Sequence, residues 1–269
     1  MTIGLLEMLF LLAVWAIVPL GLRFLPDSAA VRLALKVQPF AALLATASFF
    51  VPKGMLAAAL ALPWLGLNGL VAVGGLLRLK ESFRGGLPEL FMLAAMMFPP
   101  IGGVHLVASR MGHPLAGFPE PIVLLTAIHF HYTAFAAPIL AALAARNGGF
   151  LARIGGIGLV GGTPLLAMGF LFSGHLKIAA VGVLTVGVLL LAVAQFAVPL
   201  PSRRARALLA VSSLAVIVGM ILAAVYEHGY YTGRTWISIP RMAQTHGLLN
   251  GLGFSLGGLL AWTVDRRNP

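Results

Sequence analysis

His129, His131 and His246 are the residues whose type and placement in this sequence could do chemistry. An imidazole titrates near neutral pH, so it can both give and take a proton. His129 and His131 lie in Thr126-Ala-Ile-His-Phe-His-Tyr132-Thr133, and on a helix that spacing sets them about 200° apart around the axis. One could line a site while the other bonds to a neighbouring helix, or each could face a separate pocket, and one small metal ion could not take both unless the helix were distorted. In Arg241-Met-Ala-Gln244-Thr245-His246-Gly-Leu-Leu-Asn250-Gly-Leu-Gly-Phe254, His246, Asn250 and Phe254 recur at a spacing of four and share a face. Gly247, Gly251 and Gly253 allow another helix to approach closely. Tyr226-Glu227-His228 ends the preceding apolar run and could close over the same pocket. The chain has no cysteine, which excludes thiolate ligands, cysteine nucleophiles and disulfides. It contains no HExxH and no carboxylate pair inside an apolar run.

These residues must be positioned by helices in lipid. Of the 269 residues 60% are hydrophobic and 9% charged, with a mean hydropathy of +1.00, too little polar surface for a soluble globule. The net charge of +11 would suggest nucleic acid in a soluble protein, but the Lys and Arg residues sit in short loops between apolar runs. They read as topology signals, so the partner is a lipid bilayer and not nucleic acid. A spanning helix needs about 20 mostly apolar residues. Nine such runs occur: Ile3 to Leu25, Val31 to Phe50, Gly54 to Leu77, Leu90 to Ser109, Pro121 to Ala144, Ile154 to Ser173, Ile178 to Leu200, Ala207 to Tyr226 and Pro240 to Val264. The first contains Glu7, lacks a basic leader and is too long for a signal-peptide core, so it reads as a retained helix. Pro121 and Pro240 suit first helical turns, and Asn147-Gly148-Gly149 closes the fifth helix. No internal repeat or linker interrupts the chain, which reads as one transmembrane all-α domain, 1–269.

Charge bias orients this bundle. Thirteen of the eighteen basic residues, including Arg203, Arg204, Arg206, Arg266 and Arg267, fall in the loops after helices one, three, five and seven or at the C-terminus. Lys53, Arg110, Lys177, Arg234 and Arg241 are on the opposite side. The positive-inside rule then puts the N-terminus outside and the C-terminus in the cytoplasm of a bacterial-type inner membrane. All seven histidines land in the outer half, together with Glu7, Glu120, Glu227 and Arg241. His113, His175 and His228 suit the interface itself. His129, His131 and His246 lie roughly 10 Å or more deeper, where an unpaired polar group is costly. Such groups mark functional sites, or else hydrogen-bond between helices and hold the bundle together.

The HFHY segment of the fifth helix and the HGLLN-GLGF segment of the ninth, with Thr163-Pro-Leu-Leu-Ala-Met-Gly-Phe170, resemble the YndJ-like family of bacterial membrane proteins, from the fourth helix onward. The resemblance implies a polytopic membrane protein. His129-Phe-His131-Tyr132 is also similar to the haem-ligand segment of haem–copper oxidase subunit I, which implies two histidines turned toward two cofactors.

Three functions compete. An intramembrane isomerase, cyclase or hydrolase would use His129, His131 and His246 for acid/base chemistry on a small lipophilic molecule, without a cofactor. Glu227 would orient an imidazole, and Arg241, Asn250, Thr126, Tyr132, Gln244 and His228 would line the substrate site. A small-molecule or lipid transporter would use the helix breaks at Pro63, Pro99-Pro100, Pro138 and Pro164, although the inner halves carry few polar residues beyond Lys36, Gln38 and Gln195. A metal or haem protein would bind through His129, His131 and His246.

Overall fold

A computed structural model describes residues 3–147 and 149–266; Gly148 and Arg267 lie outside the described residues. The chain is 84% helical with no strand among the described residues. Nine helices there are long and apolar enough to cross a membrane: α1 Leu5–Leu22, α2 Ala29–Phe50, α3 Met55–Leu77, α4 Leu87–Met111, α5 Ile122–Asn147, α6 Phe150–Phe172, α7 Gly174–Phe196, α8 Arg203–Tyr231 and α9 Ile239–Asp265. A lipid core leaves no water to satisfy backbone groups, and helices satisfy their own. Serine side chains take up one free N–H at four helix starts. Ser28, Ser173, Ser202 and Ser238 accept from Val31, Leu176, Ala205 and Arg241.

Several ends move outward from the apolar runs. The last turn of α8 continues to Tyr231, and α7 starts at Gly174 behind its Ser173 cap. Helix α4 bends at Phe98 because Pro99 and Pro100 cannot continue the ladder. Two π-helical segments, Ala13–Ile17 in α1 and Tyr132–Ala136 in α5, each end two residues before a proline, Pro19 and Pro138. The missing proline N–H and its ring displace the ladder there. Helix α9 has no such proline beyond its first turn, yet is π-helical over Ala243–Gly247 and Leu249–Leu256.

Contacts group the chain into two compact units, Met1–Ile139 and Leu140–Pro269, with the boundary inside α5. In the first, α3 packs against α2 and α4, and α4 against the first half of α5. In the second, α6, α7, α8 and α9 pack each against the next. The tightest junction is α6 with α7. A Cβ on Gly158 would stand 2.7 Å from Gly187 Cα, one on Gly162 3.1 Å from Leu184 Cα, and one on Gly169 2.4 Å from Lys177 Cα. Such backbone approach is how helices gain packing energy in lipid. Gly187→Val should therefore cost about 2–3 kcal/mol by forcing two backbones apart. Gly182→Val, on the same helix with nothing within 4 Å of its Cβ, should unfold with the wild type in a thermal or detergent titration. Equal midpoints for both variants would contradict the packing account.

Candidate functional site

In the first unit the structure separates the paired histidines as the 200° spacing requires. His129 is exposed, whereas His131 is completely buried. The His131 Nδ1–H donates to Ala127 O at 2.6 Å, since a carbonyl can only accept. That fixes the tautomer, and Nε2 accepts from the Trp64 indole at 2.8 Å. Phe10 meets the ring edge-on at 5.5 Å between centroids. Gly102 of α4 leaves room for its Cε1, which would lie 3.2 Å from a Cβ there. Both nitrogens are thus engaged among apolar walls, and haem or metal ligation through Nε2 would require breaking the Trp64 bond. The Tyr132 hydroxyl donates to Leu9 O at 2.7 Å and ties α5 to α1. Thr126 donates back to Ile122 O within its own helix.

The same unit holds a charged cluster at the basic-poor helix ends. Arg110 is 3% exposed, donates to Val51 O at 3.2 Å and lies 4.7 Å above the Phe49 ring. Glu120 accepts from Ser109, from Lys53 at 3.1 Å and from the Leu124 N–H at 3.2 Å. His105 donates to Ile101 O and stacks on Phe130. His113 is exposed.

In the second unit, α8 and α9 build the other half of the expected set. His246 Nδ1–H donates to Gly219 O of α8 at 2.8 Å, leaving Nε2 to accept from Asn250 Nδ2 at 3.0 Å. The i, i+4 spacing read from the sequence supplies that contact, although π-winding changes the turn. Gly219 is required because a Cβ would stand 2.7 Å from Asn250 Oδ1. That oxygen is buried and has no hydrogen-bond partner. Above this pair the start of α9 and the loop before it frame an open depression of about 600 Å³, lined by Thr235, Trp236, Ile237, Ser238, Arg241 and Thr245, with Leu222 of α8 behind. Arg241 and Gln244 are exposed. His228, also exposed, lies against the Trp236 ring at 5.3 Å.

Glu227, expected beside an imidazole, is instead 3.1 Å from Lys177. Both are buried, at 5% and 7% exposure, and the ammonium lies over the Tyr230 and Phe170 rings at 3.7 and 4.9 Å. A carboxylate this far from solvent needs a cation, and Lys177, the residue just before the apolar run of α7, supplies it. Next to it His175 and the Tyr231 hydroxyl are 2.7 Å apart. The partners Trp64, Gly219 and Lys177 are the residues that pattern alone misses. Trp64 and Gly219 look like ordinary helix residues, and only the solitary charge of Lys177 beside an apolar run gave a signal. Among the described residues no three His, Asp or Glu side chains are grouped closely enough to hold a metal ion.

The arrangement can be set beside known proteins. The YndJ-like protein family profile matches residues 8–254. Over 214 residues, 78% of this chain and 39% of the relative, the sequence is 27% identical to a Bacillus subtilis (strain 168) protein described as uncharacterized membrane protein YndJ. The chain therefore spans well under half the length of that curated relative. No solved structure matches. With the profile match running from the first helix into the ninth, the chain belongs to the YndJ-like family of membrane proteins.

Proposed function

We propose that this membrane protein is an enzyme of the bacterial inner membrane that moves a proton on an amphipathic, lipophilic substrate, with His246 as the proton-transfer group. The observation that carries the reading is the Gly219–His246–Asn250 arrangement and the unpartnered acceptor on it. Neutral His246 donates to Gly219 and accepts from the amide. If Nε2 takes a proton from substrate, a half-turn of the Asn250 amide brings Oδ1, now without a partner, onto the new N–H. The imidazolium then keeps two acceptors, Gly219 O and Asn250 Oδ1, while the amide nitrogen takes over the unpartnered position, so the number of unpartnered amide atoms stays at one. Returning that proton to another substrate atom completes an isomerisation or cyclisation with no net donor and no cofactor.

Arg241 would hold the polar head in the depression, with Gln244 and His228 at its rim. Asn250 sets the tautomer. His131, with both nitrogens engaged, positions helices in the first unit, together with Tyr132 and Thr126, and His129 lies on the opposite face. With the N-terminus outside, the depression opens to the outer leaflet.

A transport reading has one observation in its favour. Gln195, Ser212, Ser213 and Ser255 are buried in the second unit toward the basic-rich ends of α7, α8 and α9, so polarity is not confined to one end of this unit. One experiment separates the two. Lipid extracts of cells producing the wild type or His246→Ala are compared by mass spectrometry. The enzyme reading expects a substrate and product of equal mass, or differing by water, whose ratio changes with the wild type only. Identical extracts, with accumulation of a solute in sealed vesicles abolished by an uncoupler, would replace it by transport.

A further inference from the structure

We propose that the depression at the start of α9 binds an oxyanion head, phosphate or carboxylate, carried on an amphiphile. The polar groups lining it are donors or hydroxyls. Arg241 offers a guanidinium fork suited to two oxygens, and it makes no ion pair among the described residues. Ser238 Oγ accepts from the Arg241 N–H, which leaves its own O–H to give, and Thr235 adds a second hydroxyl. Among the described residues no Asp or Glu lines the site. The nearest carboxylate in sequence, Glu227, is already paired with Lys177 at 3.1 Å. Arg234 flanks the same loop and adds a second positive charge.

The remaining wall names the rest of the ligand. Leu222, Trp236 and Ile237 form an apolar side of the depression. Trp236, Tyr230 and Tyr231 are exposed, as aromatic residues are at the level of lipid head groups. An anion alone would leave that apolar wall unused, whereas an anionic amphiphile satisfies the fork with its head and the wall with the start of its tail. This inference supplies the substrate class for the proton-transfer reading and rests on it only for the step after binding, because binding and turnover are measured separately.

The test uses the full chain in phosphatidylcholine nanodiscs and two probes with the same tails, dioctanoyl phosphatidic acid and dioctanoylglycerol. The charged probe should bind about tenfold or more tightly than the neutral one, and Arg241→Ala should remove that advantage, because a charge-assisted contact of this kind is worth at least a factor of ten. Arg241→Lys should keep part of it, since the charge stays and the fork goes. Arg234→Ala, outside the lining, should change affinity by less than about threefold through a screened field. Equal binding of both probes, or unchanged binding to Arg241→Ala, would overturn the site. Displacement of the charged probe by millimolar inorganic phosphate would overturn the amphiphile and assign the site to a free anion. His246→Ala should bind the charged probe like the wild type, so retained turnover in this variant would sink the proton-transfer reading alone, whereas lost charge preference in the wild type would sink the oxyanion site alone.

Discussion

Glu227→Leu should destabilise the protein by about 3–5 kcal/mol, the cost of leaving a buried charge without its partner. Lys177 is only 7% exposed. Its backbone is locked against Gly169, where a Cβ would stand 2.4 Å from Lys177 Cα, and its ammonium lies over the rings of Tyr230 and Phe170. Ring faces attract a cation by only about 0.5–2 kcal/mol, too little to replace a carboxylate. Adding Lys177→Met should restore most of the loss, since buried ion pairs exchange for apolar side chains at little cost once both charges go. The measurement is the unfolding midpoint of purified protein on titration from a mild into a denaturing detergent. A single variant that unfolds with the wild type, or a double variant no better than the single, would show that the pair contributes only packing.

That ion pair also shows where the sequence is readable and where it is not. The nine helices are legible because lipid imposes one rule on every segment: long apolar runs that satisfy their own backbone. Apolar runs, however, end where polar residues begin, and in a bundle polar residues can be buried against each other. The runs start the seventh helix at Ile178 and stop the eighth at Tyr226, whereas α7 begins at Gly174 and α8 continues to Tyr231. Lys177 and Glu227 fall in just those added turns, so each looked like an end residue until the two helices were seen side by side. The opposed faces of His129 and His131 were readable from angular spacing, a property of one helix. The indole that occupies His131 was not, because Trp64 is 67 positions away and nothing local marks the contact. In α9 the spacing of four correctly joined His246 to Asn250, while the π-winding there has no proline to announce it. Gly219 completes the arrangement from α8; its role follows from Asn250 Oδ1 lying where its side chain would be.

The histidines should separate by the kind of damage their loss does. For His246→Ala, turnover of the substrate found by lipid comparison should fall by about 10²–10⁴-fold, the usual worth of a positioned acid/base group. Its unfolding midpoint should change less than that of His131→Ala, because the ring is only partly buried. Asn250→Ala should lower turnover less, since Gly219 O still selects the Nδ1–H tautomer and only the amide that follows the proton is gone. His131→Ala should behave in the opposite way. It strands the Trp64 N–H and opens a cavity among Trp64, Phe10 and Gly102, together about 2–4 kcal/mol, while each molecule that remains folded keeps its turnover. If His131→Ala destroyed turnover in protein that unfolds like the wild type, the proton-transfer role would move to the first unit and His246 would be the structural residue. The buried acceptor of Asn250 argues for the expected order. At His131 every hydrogen-bonding position is filled in one protonation state, so a second proton has no acceptor to meet it. At His246 the amide already carries the oxygen that a second proton would need.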